Sequence, residues 1–264
     1  MMKQLKFLLT LLLSVVLTLT LTTACNRAGS NALVMATSAD YPPYEYIDTS
    51  SGEEKIVGFD VDIANYIVGR LDRTLQINNI DFNGLIPALQ ANRADFVMAG
   101  MTPTAERKQS VDFSDVYYEA KHTIVAKKGA NLATPATLAG KKVGVQLGSI
   151  QEGIAKDLAK ETQGITVQPL NRINEIVQEL KSGRIDAAII EDTVAAGYIA
   201  SNPDLEFNVL PQIGEAGSAI AFPKGSPLPP EFNPILQEMK TNGELEKLVT
   251  KWFGEDSPAL KQAS

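Results

Sequence analysis

The chain has 264 residues, of which 44% are hydrophobic and 21% are charged, which is ordinary for a globular protein. Its formal net charge of -7 argues against a nucleic-acid partner, because phosphate binding needs clustered lysine and arginine. One cysteine and one histidine exclude an internal disulfide and a zinc site built from Cys and His clusters. The length allows one large or two modest domains.

A basic start, an apolar middle and small residues before Cys25 predict a secretory signal at 1–24. The segment resembles a bacterial lipoprotein signal, which implies that Cys25 is lipidated and that 25–32 form a tether. Thr22 stands where such signals usually have leucine. Simple cleavage and an uncleaved anchor helix are the alternatives.

The part of the chain that follows alternates apolar runs with turn residues, as α/β folds do. Two prolines stiffen the loop that carries Tyr41 and Tyr44. Its aromatic side chains suit the wall of a pocket or, alternatively, the edge of the core. Asp60 and Asp62 lie where the positive end of a helix favours acids. The predicted strands are 33–37, 75–77 and 96–98, and helices are predicted to open at Gly58 and to carry Leu85 to Leu89.

The stretch from Ala99 to Arg107 leads from the end of a buried strand into a predicted helix. Gly100 permits close approach of the backbone to a ligand. Thr102 is predicted to cap the helix, with Pro103 at its first position. Open N–H groups at such a helix start favour an anion, and the planar fork of Arg107 suits a carboxylate. The alternative is an ordinary connection with a surface arginine.

A second set of elements begins near Lys127. The strand 143–145 ends in a Gly/Ser turn at 146–151 that enters a helix, and its N–H groups form another candidate anion site. Further along the chain, strands are predicted at 165–167 and 218–222, and helices at 173–180, 194–199, 231–239 and 243–252.

An internal similarity predicts two lobes of the same design. Residues 89–98 and 180–189 both show a helix end, a turn residue, Arg-x-Asp and a buried strand. Open α/β sheets bind ligands at the carboxyl ends of their strands. We therefore expect Thr102 and Arg107 of one lobe to face Asp192 of the other.

Two strands, 122–126 and 218–222, are predicted to cross between the lobes and to act as a hinge. The second lobe is then inserted in the first. The predicted divisions are a first lobe at 33–124 and 221–256, a second lobe at 125–220 and a flexible tail at 257–264.

These residues resemble a known family. The chain after the signal is similar to the bacterial extracellular solute-binding proteins of family 3, the polar amino-acid receptors of ABC importers. The resemblance implies a type II periplasmic-binding-protein fold of two α/β lobes joined by a two-strand hinge. It implies no enzymatic activity and no cofactor. The matching motifs are GFDVDIA at 58–64, FNGLIP at 82–87, MTPTAER at 101–107, VGV at 143–145 with Gly148, and GRIDA at 183–187.

The resemblance also implies a clamp for the backbone of a free amino acid. Arg107 holds the α-carboxylate, helped by Thr102 and by an N–H near Ser149 or Ile150. Asp192 takes the α-ammonium, together with the Gly100 carbonyl. The residues implied to enclose the ligand side chain are Tyr41 and Phe82, and the remaining candidate ligand-binding residues are Ser38, Ala99, Met101 and Gln146.

Similarity around 98–102 and 190–193 favours arginine as the ligand, followed by lysine, histidine or glutamine. Several receptors for basic amino acids carry an acid where this chain has Ser38. The contact that Ser38 does not provide is expected from Asp40, Glu45, Gln146 or Glu191.

The expected partners are an L-amino acid and a membrane permease, with the protein exported as a lipid-anchored monomer. A lyase of the cyclohexadienyl-dehydratase type is the competing function, with Glu191 as its spare acid. A ligand-sensing subunit is a third candidate.

Overall fold

The computed structural model describes residues 31–211 and 214–261. The predicted signal at 1–24 and the candidate lipidation site Cys25 lie outside the described residues. Within the described ranges, no helix is long and apolar enough to cross a membrane.

Strands and helices alternate along the chain. The strands are β1 (Ala32–Thr37), β2 (Asp40–Tyr41), β3 (Glu45–Asp48), β4 (Lys55–Val57), β5 (Thr74–Asn79), β6 (Phe96–Val97), β7 (Val111–Phe113), β8 (His122–Lys127), β9 (Lys142–Gln146), β10 (Thr166–Leu170), β11 (Ala187–Glu191), β12 (Leu205–Val209) and β13 (Ala221–Pro223). The α-helices are α1 (Phe59–Arg70), α2 (Leu85–Gln90), α3 (Arg107–Ser110), α4 (Ile150–Glu161), α5 (Ile173–Ser182), α6 (Asp192–Ala200), α7 (Pro229–Thr241), α8 (Glu244–Phe253) and α9 (Pro258–Lys261).

The first lobe is built on a five-stranded sheet in the order β5-β1-β6-β13-β7. Strands β1 and β6 are parallel, and β13 runs antiparallel to both β6 and β7. Helix α2 packs on β6, β7 and β13, and α1 packs on β5 and on α8. A small antiparallel sheet, β2-β3-β4, carries the tyrosine-rich loop beside α1.

The second lobe has a five-stranded sheet in the order β10-β9-β11-β8-β12. Strand β9 is parallel to β10 and β11, while β8 is antiparallel to its neighbours β11 and β12. Helices α4 and α5 pack on β9 and β10, and α6 packs on β11 and β12. The carboxyl ends of the parallel strands therefore lead into α4 and α6.

The repeated Arg-x-Asp unit makes the same contact in both lobes. Asp95 accepts a hydrogen bond from the Val34 N–H at 2.7 Å, and Asp186 accepts one from the Lys142 N–H at 2.8 Å. Each aspartate thus binds the first residues of the neighbouring parallel strand. Asn92 and Gly183, the turn residues of the two units, both have positive φ. The internal similarity is therefore a repeated structural unit.

The chain crosses between the two sheets twice. Tyr118 on the outward path forms an isolated antiparallel bridge with Ser218 on the return path. The segment 122–126 was expected to cross, but β8 lies wholly within the second sheet because it pairs along its length with β11 and β12. The two-strand connection is present, but it lies at Tyr118 and Ser218, closer to the first lobe than the predicted crossing at 122–126.

The end of the chain differs from the flexible tail expected from 257 onward. Helix α9 contacts both α8 of the first lobe and α6 of the second. Ser257 and Ala259 are buried, and the Ser257 hydroxyl donates to the Trp252 carbonyl at 2.6 Å. This packing gives residues up to 261 a fixed place, and 262–264 lie outside the described residues.

The lobes are in contact in this structure. The largest apolar cluster contains Tyr44 and Phe59 from the first lobe together with Ile173 and Ala195 from the second. The two lobes are therefore closed on each other in this structure.

Gly58 controls the distance between α1 and the tyrosine-rich loop. Its φ is +144°, and a Cβ built there would lie 2.1 Å from the Tyr44 carbonyl oxygen. That oxygen accepts a hydrogen bond from the Asp60 N–H at 3.0 Å. The close approach at Gly58 thus fixes Tyr44 relative to Asp60.

We expect Gly58→Ala to lower the free energy of unfolding by about 3 kcal/mol, because it adds both backbone strain and a clash with main-chain atoms. Gly69→Ala, in α1, is the matched control, since its added Cβ meets nothing within 4 Å. This control should raise stability by roughly 0.5–1 kcal/mol. Urea unfolding of both variants is the measurement, and equal stabilities would contradict the assigned role of Gly58.

Candidate ligand-binding site

A cavity between the lobes brings together most of the predicted ligand-binding residues. Its volume is about 10 Å³, which is roughly the room that one water molecule needs. The lining residues are Tyr41, Phe82, Ala99, Gly100, Thr102 and Arg107 from the first lobe and Gln146, Ser149, Ile150 and Gln151 from the second.

Arg107 provides positive charge at one end of the cavity. Its guanidinium donates to the Thr102 carbonyl at 2.9 Å and, across the cleft, to the Gly148 carbonyl at 3.0 Å. The ring of Phe82 lies 5.4 Å from the guanidinium carbon. Burial lowers the pKa of Arg107 to about 10, so it stays protonated at neutral pH. Among the described residues, no carboxylate lies within ion-pair distance of it.

The amino terminus of α4 faces the same cavity. Ser149 caps the helix by accepting from the Glu152 N–H at 3.2 Å, and its hydroxyl donates to the Gln146 carbonyl at 2.7 Å. The N–H groups of Ile150 and Gln151 follow at the first helical positions, where a helix offers no internal partner. The helix dipole adds partial positive charge there. This end of the cavity therefore favours a carboxylate.

Two further side chains belong to this wall. The Gln146 amide nitrogen is buried and has no hydrogen-bond partner among the described residues. Gln151 was missed by the sequence reasoning, and its amide nitrogen lies 3.4 Å from Nδ1 of His122. Its position as the last residue of the predicted anion-binding turn at 146–151 was the available signal.

The loop before Arg107 differs from its prediction. Thr102 was expected to cap a helix with Pro103 at its first position, but α3 begins only at Arg107. Thr104 accepts from the Arg107 N–H at 3.1 Å, and the Thr102 carbonyl binds the guanidinium instead. The loop still carries Thr102 and Arg107 to the cavity.

Three carboxyl groups, Glu45, Asp60 and Glu191, form a buried carboxyl cluster next to this site. Glu45 and Asp60 are 0% exposed and Glu191 is 7% exposed. Asp60 accepts from the Gly100 N–H at 2.9 Å and from the Tyr117 hydroxyl at 2.8 Å, and Glu191 accepts from the Thr193 hydroxyl at 2.8 Å. Neither oxygen of Glu45 accepts from an N–H or hydroxyl group of the described residues, but the Glu45 and Asp60 carboxyls are close enough to share a proton in a hydrogen bond.

The ionised forms of the three carboxyl groups in the cluster are disfavoured. Burial raises the pKa of Asp60 and that of Glu191 to about 7. Burial, and then the charges of Asp60 and Asp40, raise the pKa of Glu45 well above its usual range. A carboxylate removed from water needs a counter-charge or hydrogen bonds. A cation placed beside this cluster would therefore be held strongly.

Tyr41 joins the cavity to the carboxyl cluster. It lines the cavity, and its ring stacks on that of Tyr44 with centroids 5.7 Å apart. Burial, followed by the charges of Glu191 and Glu45, raises the pKa of Tyr41 well above its usual range. Gly100, with φ of +55°, passes so close that a Cβ there would lie 3.1 Å from the Tyr41 ring. The two regions thus share one aromatic wall.

Three predicted ligand-binding residues are not among those that line this cavity. Ser38 is buried, and its hydroxyl donates to Asp40 at 2.7 Å. Met101 packs in the apolar core of the first lobe, and its carbonyl accepts from the Ala219 N–H at 2.9 Å. One carboxylate oxygen of Asp192 accepts from the N–H groups of Lys121 and Thr193, at 3.0 and 2.9 Å. Asp192 therefore binds the connection between the lobes.

Glu191, directly before Asp192, ends strand β11 and is buried beside Tyr41 and Tyr44. Strand β11 continues through Glu191, whose pairing partner on β8 is His122, and α6 begins at Asp192. The predicted strand ended at Ile189, two residues before the observed end at Glu191. The role predicted for Asp192 stays a prediction. The long apolar run that ends in Glu191 was the signal for the correct register.

Comparison with known proteins places this architecture in a family. A model of the bacterial extracellular solute-binding proteins, family 3, matches residues 33–255. The chain belongs to this family. The fold and family inferred from the sequence are thereby confirmed.

Individual members of the solute-binding family are also similar over most of their length. The arginine-binding extracellular protein ArtP of Bacillus subtilis strain 168 is 51% identical over 230 residues, which are 86% of this chain and 88% of the relative. The structure of an ancestral arginine-binding protein bound to arginine is 43% identical, with a TM-score of 0.79 over 85% of this chain and 99% of that one. An ancestral amino acid-binding protein, described as a precursor of cyclohexadienyl dehydratase, is 34% identical, with a TM-score of 0.76 over 84% and 96% of the two chains.

The raised carboxyl pKa values predict a stability that falls as pH rises. Asp60 and Glu191 hold a proton up to about pH 7 when folded, but only up to about pH 4 when unfolded. Protons are therefore taken up on folding, and this contribution to stability is lost as pH rises through that window. Asp60→Asn removes one titration and keeps an acceptor for the Gly100 N–H. The stability of Asp60→Asn relative to wild type should therefore increase from about pH 5 to about pH 8.

Denaturant unfolding of both proteins across this range is the measurement. Burial lowers the pKa of His122, which gives an opposite trend in the same window, so the difference between the two proteins is the quantity to follow. A constant difference would contradict the raised pKa of Asp60.

Proposed function

We propose that this protein is the substrate-binding component of an ABC importer and that it captures a free L-amino acid, preferably arginine, between its lobes. The observation that carries the proposal is the separation of unlike charges around one cavity. Arg107 and the α4 amino terminus lie at one end, and the buried carboxyl cluster lies behind Tyr41. A ligand with a carboxylate and two cationic groups matches this arrangement.

The α-carboxylate would bind at Arg107. The guanidinium now donates to two neutral carbonyls, and a carboxylate offers it a charged, bidentate partner. The N–H groups of Ile150 and Gln151 would supply further donors from the second lobe. Both lobes would then hold the same group of the ligand.

The α-ammonium would bind at Glu191. This carboxylate is buried at the end of β11, whereas Asp192 already accepts two main-chain hydrogen bonds. An ammonium beside Glu191 would favour its ionised form and replace the solvation lost on burial. The Gly100 carbonyl, expected to help with this group, belongs to the residue whose N–H binds Asp60.

The ligand side chain would extend toward Glu45. Both oxygens of this carboxyl lack an N–H or hydroxyl donor among the described residues, which suits the two parallel N–H donors of a guanidinium. Tyr41 and Phe82 would stack on its planar face. Glu45 thus supplies the acid that Ser38 does not, and the arginine-binding names of the most similar relatives support this choice over lysine, histidine or glutamine.

Capture would follow from lobe closure. A ligand shifts the balance between open and closed forms only through contacts that it makes better in one of them. Arg107 on the first lobe and Glu191 on the second provide such contacts. The closed form would dock on a permease, with the protein exported and anchored through a lipid on Cys25.

A lyase activity is the second candidate, and two observations favour it. Glu191 and Asp60 have raised pKa values near neutrality, which suits proton transfer. One similar structure is described as a precursor of cyclohexadienyl dehydratase. Incubation with a cyclohexadienyl acid, followed by absorbance, separates the candidates, because turnover would replace binding as the function.

Charge removal at the clamp should abolish arginine binding. We expect Arg107→Ala and Glu191→Gln each to weaken L-arginine binding by roughly 3–5 kcal/mol, because each leaves a buried ligand charge without its partner. Asp192→Asn is the control for Glu191→Gln and should bind within a few-fold of wild type. Titration calorimetry is the measurement. Tight binding by Glu191→Gln with loss in Asp192→Asn would reverse the assignment.

The neutral isostere L-citrulline tests the side-chain subsite. Wild type should prefer L-arginine strongly, because citrulline leaves Glu45 without a counter-charge. Glu45→Gln should reduce this preference by at least about tenfold, since the neutral glutamine side chain no longer favours the charged guanidinium of arginine over the neutral side chain of citrulline. Competition of both ligands in wild type and variant is the measurement. An unchanged preference would exclude Glu45 as the recognition group.

A further inference from the structure

We propose that Asp40, Asp81 and Arg172 form an interlobe latch that holds the closed form together and sets the rate of ligand release. The inference rests on the proposed function for its ligand, L-arginine. None of the three residues lines the ligand cavity. They act as positioning residues, through the lobes that they join.

Asp40 connects the first lobe to a helix of the second. Its carboxylate accepts from the Ile173 N–H at 2.6 Å, and Ile173 is the first residue of α5. The side chain is 6% exposed. The first N–H groups of a helix lack internal partners, and the dipole there favours an anion. Asp40 therefore serves as an N-terminal cap supplied by the opposite lobe.

Two neighbours hold Asp40 in this orientation. The Ser38 hydroxyl donates to the other carboxylate oxygen at 2.7 Å. The Asp40 main-chain carbonyl accepts from the Tyr198 hydroxyl of α6 at 2.8 Å. One residue of the first lobe thus contacts two helices of the second, and Ser38 acquires a role that does not require ligand contact.

An ion pair continues the latch beside Asp40. Arg172 of the second lobe lies 2.7 Å from Asp81 of the first, with side chains 29% and 38% exposed. Arg172 directly precedes Ile173, so the cap and the ion pair adjoin on the same edge of the cleft. The charges acting on the Asp40 carboxyl are those of Arg172, which favours its ionised form, and of Asp81, which opposes it.

These contacts act on release more than on capture. Except for the Ser38–Asp40 hydrogen bond, each joins atoms of different lobes and is broken when the lobes separate. An open lobe pair binds the ligand first, and the latch then lowers the free energy of the closed complex. Removing it should raise the dissociation rate constant and leave the association rate constant nearly unchanged. Affinity would fall although no ligand contact is lost.

The test uses Asp40→Asn and Arg172→Ala. Arg184→Ala is the matched control, because Arg184 pairs with Glu179 inside the second lobe. Radiolabelled L-arginine chased with unlabelled ligand gives the dissociation rate, and calorimetry gives the affinity. We expect dissociation to accelerate about threefold in both variants, because Asp40→Asn keeps an acceptor for the Ile173 N–H but loses its negative charge at the helix terminus. Association should stay within about twofold of wild type.

Wild-type dissociation rates in both variants would overturn the latch, as would a loss of affinity that lies entirely in the association rate. Thermal unfolding without ligand verifies that the variants fold, and Arg172→Ala carries the test if Asp40→Asn does not. Should wild type bind no amino acid, the proposed function fails. Small-angle scattering of the ligand-free proteins then tests the latch without a ligand. Larger radii of gyration in the variants than in wild type would support the latch, and equal radii would overturn it.

Discussion

A charge taken out of water must find a counter-charge or hydrogen bonds, and this requirement governs the cleft of the protein. Arg107 meets it with two main-chain carbonyls, one from each lobe. Asp60 meets it with the Gly100 N–H and the Tyr117 hydroxyl, and still has a raised pKa. Glu45 has no N–H or hydroxyl donor among the described residues. The incompletely paired charged groups in the cleft therefore lower the stability of the fold and favour the binding of an ionic ligand.

The fold supplies these groups by repetition. In each lobe, an Arg-x-Asp turn binds the start of a parallel strand through Asp95 or Asp186. The strands that follow end at the cleft, where β6 precedes Gly100 and β11 ends at Glu191. Two copies of one structural unit thus place an anion-binding group on one side of the cleft and a cation-binding group on the other. What differs between the lobes is the residue placed after the strand, not the scaffold that presents it.

Local rules were sufficient where the site depends on a single strand-to-helix connection. Arg107, Thr102, Ser149 and Ile150 follow from such connections, and all four line the cavity. The end of β11 at Glu191 was not predicted, because it is set by pairing with β8, far away in sequence. The carboxyl cluster was not foreseen as a unit, since Glu45, Asp60 and Glu191 come from three elements brought together only by packing.

The order of strands in the first sheet has a consequence for how the chain acquires its structure. Strand β13 lies between β6 and β7, although more than a hundred residues separate it from them in the chain. All strands of the second sheet fall between 122 and 209 and are available earlier. A chain emerging from its amino terminus therefore completes the inserted lobe while the sheet of the outer lobe still lacks its connecting strand.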